Sequence, residues 1–283
     1  MNKKIIELCA TASLMVGASH GATIEWNAGV GAWETDSNWS GGAAPINFSQ
    51  DATVEIDGGN SEVVTLSSGA NINDLKMGNS GVNGEMNTLT LASGANLHSG
   101  VSSLGVTNNA TTIGRQYAST VNVLAGASFT AEKRITLGRS ANGNTPIVDI
   151  ADAEPSYLNI LGGSVIVTQN GDIDIGNDSA SRNSGGGVIT IDNGGLLEAR
   201  LDFFNDNTLF QSYVQLNDGT LIMGGNVDVQ AMIDDGELKG DNLSWNYGET
   251  NPGKTTVIPE PATLGLIGAF GGTMLFIRRR FLI

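Results

Sequence analysis

The chain of 283 residues carries 29 acidic against 14 basic side chains, 39 glycines, two histidines and one cysteine. That length admits one large domain or two small ones, and 40% hydrophobic content is too high for a disordered chain. Residues 23–258 hold 9 basic and 27 acidic side chains, a net of −18 that repels phosphate backbones and argues against nucleic acid as a partner.

Residues 1–21 read as a signal peptide for the Sec translocon. Lys3 and Lys4 give the positive start, Ile5–Val16 is mostly apolar, and small residues dominate Gly17–Ala22. Cleavage between Gly21 and Ala22 puts Ser19 at the −3 position, and cleavage after Ala18 puts Val16 there. The apolar stretch is too short to span a bilayer. Cys9 lies inside it, so the mature chain has no disulfide. Stability must then come from core burial and strand ladders.

The body, residues 22–248, opens with Trp26, Trp33 and Trp39, three of the four tryptophans within 14 residues. Either the rings plug the open end of a repeat fold, or exposed indoles stack on sugars; the plug is the expectation. A nine-residue pattern follows, apolar-x-apolar-x-x-Gly and then a second apolar position. It recurs at Val64–Ile72, Leu89–Leu97, Val121–Phe129, Leu158–Ile166, Ile189–Leu197 and Val214–Ile222. Its glycines are Gly69, Gly94, Gly126, Gly163, Gly194 and Gly219, spaced 25, 32, 37, 31 and 25. Alternating apolar residues make strands with one buried face, and glycine supplies a left-handed turn between them. A further strand ending in apolar-x-apolar-Gly follows at Leu75–Gly78, Ile135–Gly138 and Ile173–Gly176.

Two or three strands per repeat predict an all-β chain folded as a right-handed parallel β-helix. Val64, Leu89, Val121, Leu158, Ile189 and Val214 should stack as one internal ladder. An antiparallel sandwich uses similar strands, but phased repetition favours the solenoid. The Asn- and Ser-rich stretches Ser140–Thr145 and Asn177–Gly187 read as loops, and Trp245 and Tyr247 as the closure of the far end. Residues 249–257 read as a linker.

Chemistry is sparse. His20 leaves with the signal, so His98 is the sole mature imidazole, expected in solvent, and zinc sites and His-dependent triads are excluded. Asp172, Asp174 and Asp178 are the serious acids. Alternation puts Asp172 and Asp174 on an outer face, where a solvated acidic strand is expected; an active edge or a weak calcium site is the rival. Lys133-Arg134 is an adjacent basic pair, and the sequence does not show whether it lies near the acids. Phosphate loops and nucleotide fingerprints are missing. No catalytic residue, metal or cofactor is expected.

Pro259-Glu260-Pro261 precedes an uncharged run, Ala262–Ile277, and then Arg278, Arg279 and Arg280. As a helix the run spans roughly 24 Å, short of the ~30 Å hydrocarbon core; arginines that snorkel narrow the gap. They should stay inside, with everything before Pro259 outside. Residues 258–283 resemble the PEP-CTERM sorting domain, a Pro-Glu-Pro motif followed by a Gly-rich transmembrane helix and a basic tail. The tryptophan-rich start is similar to the first coil of many autotransporter-like β-helices. The resemblance implies an exosortase partner that recognises Pro259, Glu260 and Pro261, with Arg278–Arg280 as stop-transfer cluster. It also implies a route through an inner-membrane intermediate to the cell surface or an exopolysaccharide matrix. A structural or adhesive role is expected there, with a β-helical polysaccharide lyase, glycoside hydrolase or carbohydrate-binding module as the alternative.

Overall fold

A computed structural model of the chain describes residues 23–46, 53–57, 61–78, 86–100, 111–114, 117–138, 155–168, 171–176, 186–204 and 211–260. The segment 1–21 read as a signal peptide, with Cys9, the stretch Ser140–Thr145 read as a loop, most of Asn177–Gly187 (Asp178 included) and the segment 261–283 lie outside the described residues. Among the described residues no helix is long and apolar enough to cross a membrane.

Among the described residues the strands form three sheets, of seven, eight and eight strands, parallel throughout except for two antiparallel pairings at the C-terminal end of one sheet. Each of the first five repeats contributes one strand to each sheet and the sixth one strand to two of them, so the chain winds as a parallel β-solenoid. One coil runs Ser119–Leu124 in sheet II, Ser128–Ala131 in sheet III and Arg134–Leu137 in sheet I. The next places Ser156–Leu161, Ser164–Val167 and Asp172–Gly176 directly upon it. A parallel neighbour within each sheet rules out the sandwich.

The expected ladder is present. Val64 pairs in register with Leu89, then Val121, Leu158, Ile189 and Val214 follow, and all six side chains are fully buried. Sheet III adds Ala70, Leu97, Phe129, Val165, Leu197 and Leu221 in the same manner. Register is fixed because a one-residue slip would turn every one of these side chains into water.

The glycine reading needs correction. Gly94, Gly126 and Gly194 do adopt positive φ, but the fourth repeat uses Gly162 instead of Gly163. Gly69 and Gly219 begin strands; Gly219 is needed for space, since a Cβ there would sit 2.4 Å from the Gly195 carbonyl oxygen. Consistent left-handed turns occur instead at the exit from sheet I, at Gly78, Gly114, Gly138 and Gly176.

The N-terminal end is closed as expected. Trp26, Trp33 and Trp39 are buried, with Trp39 edge-on to Trp26 at 5.0 Å and to Trp33 at 4.8 Å. The Trp39 indole N–H donates to the Trp33 carbonyl at 2.7 Å, and that of Trp33 to Pro45 at 3.2 Å. Rings so placed offer no face to a sugar.

The C-terminal end differs from expectation. Trp245 and Tyr247 are 42% and 51% exposed and do not close it. Closure comes from the helix Val229–Asp234, which buries Val229 and Met232, and from Leu238. Asp228 caps that helix by accepting from the Ala231 N–H at 3.1 Å. Nor are residues 249–257 a linker. Lys254–Pro259 is a strand, antiparallel to Gly219–Gly224 on one side and Leu243–Tyr247 on the other. Thr255, Thr256 and Val257 are buried; Val257 joins the hydrophobic core, while Thr256, on the opposite face of the strand, accepts from the Asn251 amide at 2.9 Å.

Candidate functional site

The outer face of sheet I carries the densest charge chemistry. Parallel register aligns Arg134, Asp172 and Arg200 in one column and Thr136, Asp174 and Asp202 in the next. The strands bring together residues from three successive coils, and the Arg134 side chain reaches Asp174 diagonally, 3.1 Å from guanidinium to carboxylate. Arg200 lies 3.0 Å from Asp172 and donates to Asp202 at 3.2 Å. Asp172 Oδ1 is buried and takes no well-angled hydrogen bond, so charge, not a directed bond, holds that contact. The hydrogen bond to Asp202, then the charges of Asp202 and Asp172, push the Arg200 guanidinium further above its usual range.

The expected solvated acidic face is therefore an ion-pair lattice. Asp174 is only 7% exposed, because Arg134 and the neighbouring strands cover it. The basic group whose proximity the sequence did not show is present: Arg134 touches the acids. One oxygen from each of Asp172, Asp174 and Asp202 can lie within 4.8 Å of the others, a spacing that suits a divalent cation. Two guanidiniums stand in the same cluster and leave one net negative charge, which weakens the field a cation would meet.

His98 is not simply in solvent. Its Nε2 is 2.5 Å from Glu132 Oε1, and the Thr168 hydroxyl donates to Glu132 Oε2 at 2.8 Å. These residues tie three coils together on sheet III.

Sheet II shows a feature that the repeat pattern hid in its variable position. Between each pair of buried anchors stands an outward Thr65, Thr90, Asn122, Asn159, Thr190 or Gln215, all in register. The Asn159 amide donates to Asn122 Oδ1 at 3.0 Å, and that of Asn122 to the Thr90 hydroxyl at 3.4 Å. A chain this acidic thus presents one column of amides and hydroxyls without a charge from Thr65 to Gln215. The signal was available, because the residue between the apolar anchors is an uncharged hydrogen-bonding one in all six repeats.

The Pro-Glu-Pro stretch meets the body directly. Pro259 ends the last strand opposite Leu243, and the Glu260 N–H donates to the Asn242 carbonyl at 2.7 Å. Pro259 occupies the final strand position, past the last residue paired with Gly219–Gly224, so its missing N–H is tolerated on that open side. Pro261 and Arg278–Arg280 lie outside the described residues.

The fold and these faces define the class, a capped parallel β-solenoid with one ionic face and one uncharged column of amides and hydroxyls. No family model, no curated protein and no solved structure matches the chain.

Proposed function

We propose that this is an exported protein of the cell surface or exopolysaccharide matrix, with a right-handed parallel β-helix as its structural and adhesive body. Sec export removes residues 1–21, Ala262–Ile277 halts in the inner membrane, and an exosortase acts at Pro259-Glu260-Pro261. The right hand follows from the general rule for parallel crossovers.

The observation that carries the reading is the junction at Pro259. The last strand of the core ends on the first residue of the motif, so body and sorting segment divide there without an intervening linker. The uncharged column on sheet II supports adhesion. Amide and hydroxyl groups repeating at the ~4.8 Å strand spacing match the hydrogen-bonding chemistry of a neutral polysaccharide, and no like-charge repulsion opposes contact.

Mass spectrometry of the mature protein from its native host tests sorting. The expected species lacks Ala262–Ile283; a species ending at Ile283 refutes it. A glycan array tests adhesion and should use residues 22–260, since stopping at 256 would cut the last strand in half. Retained binding by a variant in which Asn122 and Asn159 are replaced by Asp would refute the sheet II assignment.

A carbohydrate-active enzyme is the second reading, favoured by the meeting of Asp172, Asp174 and Asp202 with Arg134 and Arg200. Carboxyl groups about 5 Å apart are the arrangement of retaining glycosidases. Against it, guanidiniums engage all three carboxylates. Loss of polymer chain length with residues 22–260, abolished in Asp174→Asn, would establish it.

A further inference from the structure

The end of the solenoid nearest the motif exposes Trp245, Tyr247 and Ile258. The first two project from Leu243–Tyr247, the outermost strand of sheet III, whose far side pairs with nothing among the described residues. Strands in a solenoid run across its axis, so this free edge is the bottom rung of the stack. The rung directly above holds Lys254–Pro259, where Val257 lies opposite Trp245 and Pro259 opposite Leu243.

From Pro259 the uncharged run begins three residues later, at Ala262. Three extended residues reach about 10 Å at most, comparable with the interfacial layer of a bilayer. With that run in the membrane, the bottom rung has no room to stand away from the headgroups. We propose that the solenoid stands upright on the lipid surface, with the edge strand Leu243–Tyr247 lying along the headgroup layer. Trp245 and Tyr247 anchor it there. This rests on the membrane halt proposed above and adds an orientation and a lipid contact.

The chemistry fits that layer. Trp and Tyr favour the membrane interface because each joins an apolar body to a polar tip. An open strand edge is tolerated among hydrated headgroups but not in hydrocarbon. The exposed acids Asp241, Glu249 and Glu260 surround the edge, so the partner is a zwitterionic surface, and anionic lipid should weaken contact. Eight strands in sheet III, at ~4.8 Å each, lift the tryptophan cap roughly 34 Å from the membrane.

The test uses the full chain in phosphatidylcholine vesicles containing brominated acyl chains, which quench nearby indoles. Trp26, Trp33 and Trp39 are buried at the far end, so Trp245 is the one indole within reach. The expected loss is up to one indole's share of the four, absent in Trp245→Phe and smaller in vesicles rich in phosphatidylglycerol. Protein that resists carbonate extraction yet shows no quenching overturns the upright contact alone, including the case in which the edge pairs with a second copy. Protein released by carbonate overturns both this contact and the membrane halt.

Discussion

Leu158→Ala tests the central claim that alternate residues of sheet II face a dry, stacked core. Leu158 is fully buried between Val121 in the coil before and Ile189 in the coil after. Three carbons are removed, worth about 2.4 kcal/mol at ~0.8 kcal/mol each. A cavity term adds to this, because coils held by ladder hydrogen bonds above and below relax only partly. The expected cost is ~3–4 kcal/mol, inside the usual range for this change. The neighbour Asn159 faces outward and donates one hydrogen bond, to Asn122, so Asn159→Ala should cost about 1 kcal/mol. For a body of this size these figures convert to falls in Tm of roughly 6–16 °C and 2–4 °C. Thermal unfolding of residues 22–260 followed by circular dichroism reads both. Equal shifts, or a larger one for Asn159→Ala, would refute the assigned alternation.

Two further predictions concern the turns and the pH response. Gly94 and Gly138 both have positive φ, but a Cβ at Gly94 meets nothing within 4 Å, while at Gly138 it would lie 1.8 Å from the Gly186 carbonyl oxygen. Gly94→Ala should therefore cost about 1–2 kcal/mol and Gly138→Ala ~3 kcal/mol or more; similar denaturation midpoints would contradict the close coil contact. Burial pushes the Glu34 carboxyl up, but hydrogen bonds from Ser67 and Ser68 outweigh it and hold it below the usual range. Burial, then Asp235, pushes Glu237 above that range. The Glu34 contribution is present above the unfolded carboxylate pKa and fades as pH falls through the lower folded value. Glu237 has the opposite sign: its ionised form destabilises the fold once pH rises above the unfolded pKa. Glu34→Gln should flatten the acid loss of Tm, and Glu237→Gln should raise Tm at neutral pH; reversed signs would overturn both assignments.

Much of the body was legible in the sequence because its information is local. Val64, Leu89, Val121, Leu158, Ile189 and Val214 each sit in the same nine-residue frame, and period-2 alternation decides the buried face before any partner strand is known. Repetition of that frame then implies stacking, since no single coil can bury its own face. The tryptophans at 26, 33 and 39 were likewise readable, as rings too large and too close together to serve an ordinary turn.

What stayed hidden depends on which coils meet. Arg134 lies 38 residues from Asp172 and 66 from Arg200, and only parallel register sets them side by side on sheet I. The loops between coils differ in length, so sequence spacing carries no trace of that column. The closing strand Lys254–Pro259 was missed for a related reason. Its hydrophobic face is short and flanked by Gly, Pro and Asn, and it gains a core only when Gly219–Gly224 and Leu243–Tyr247 pair on either side. Local periodicity fixed the repeating interior of this protein, while contacts across coils, which obey no period, decided its ionic face and its C-terminal rung.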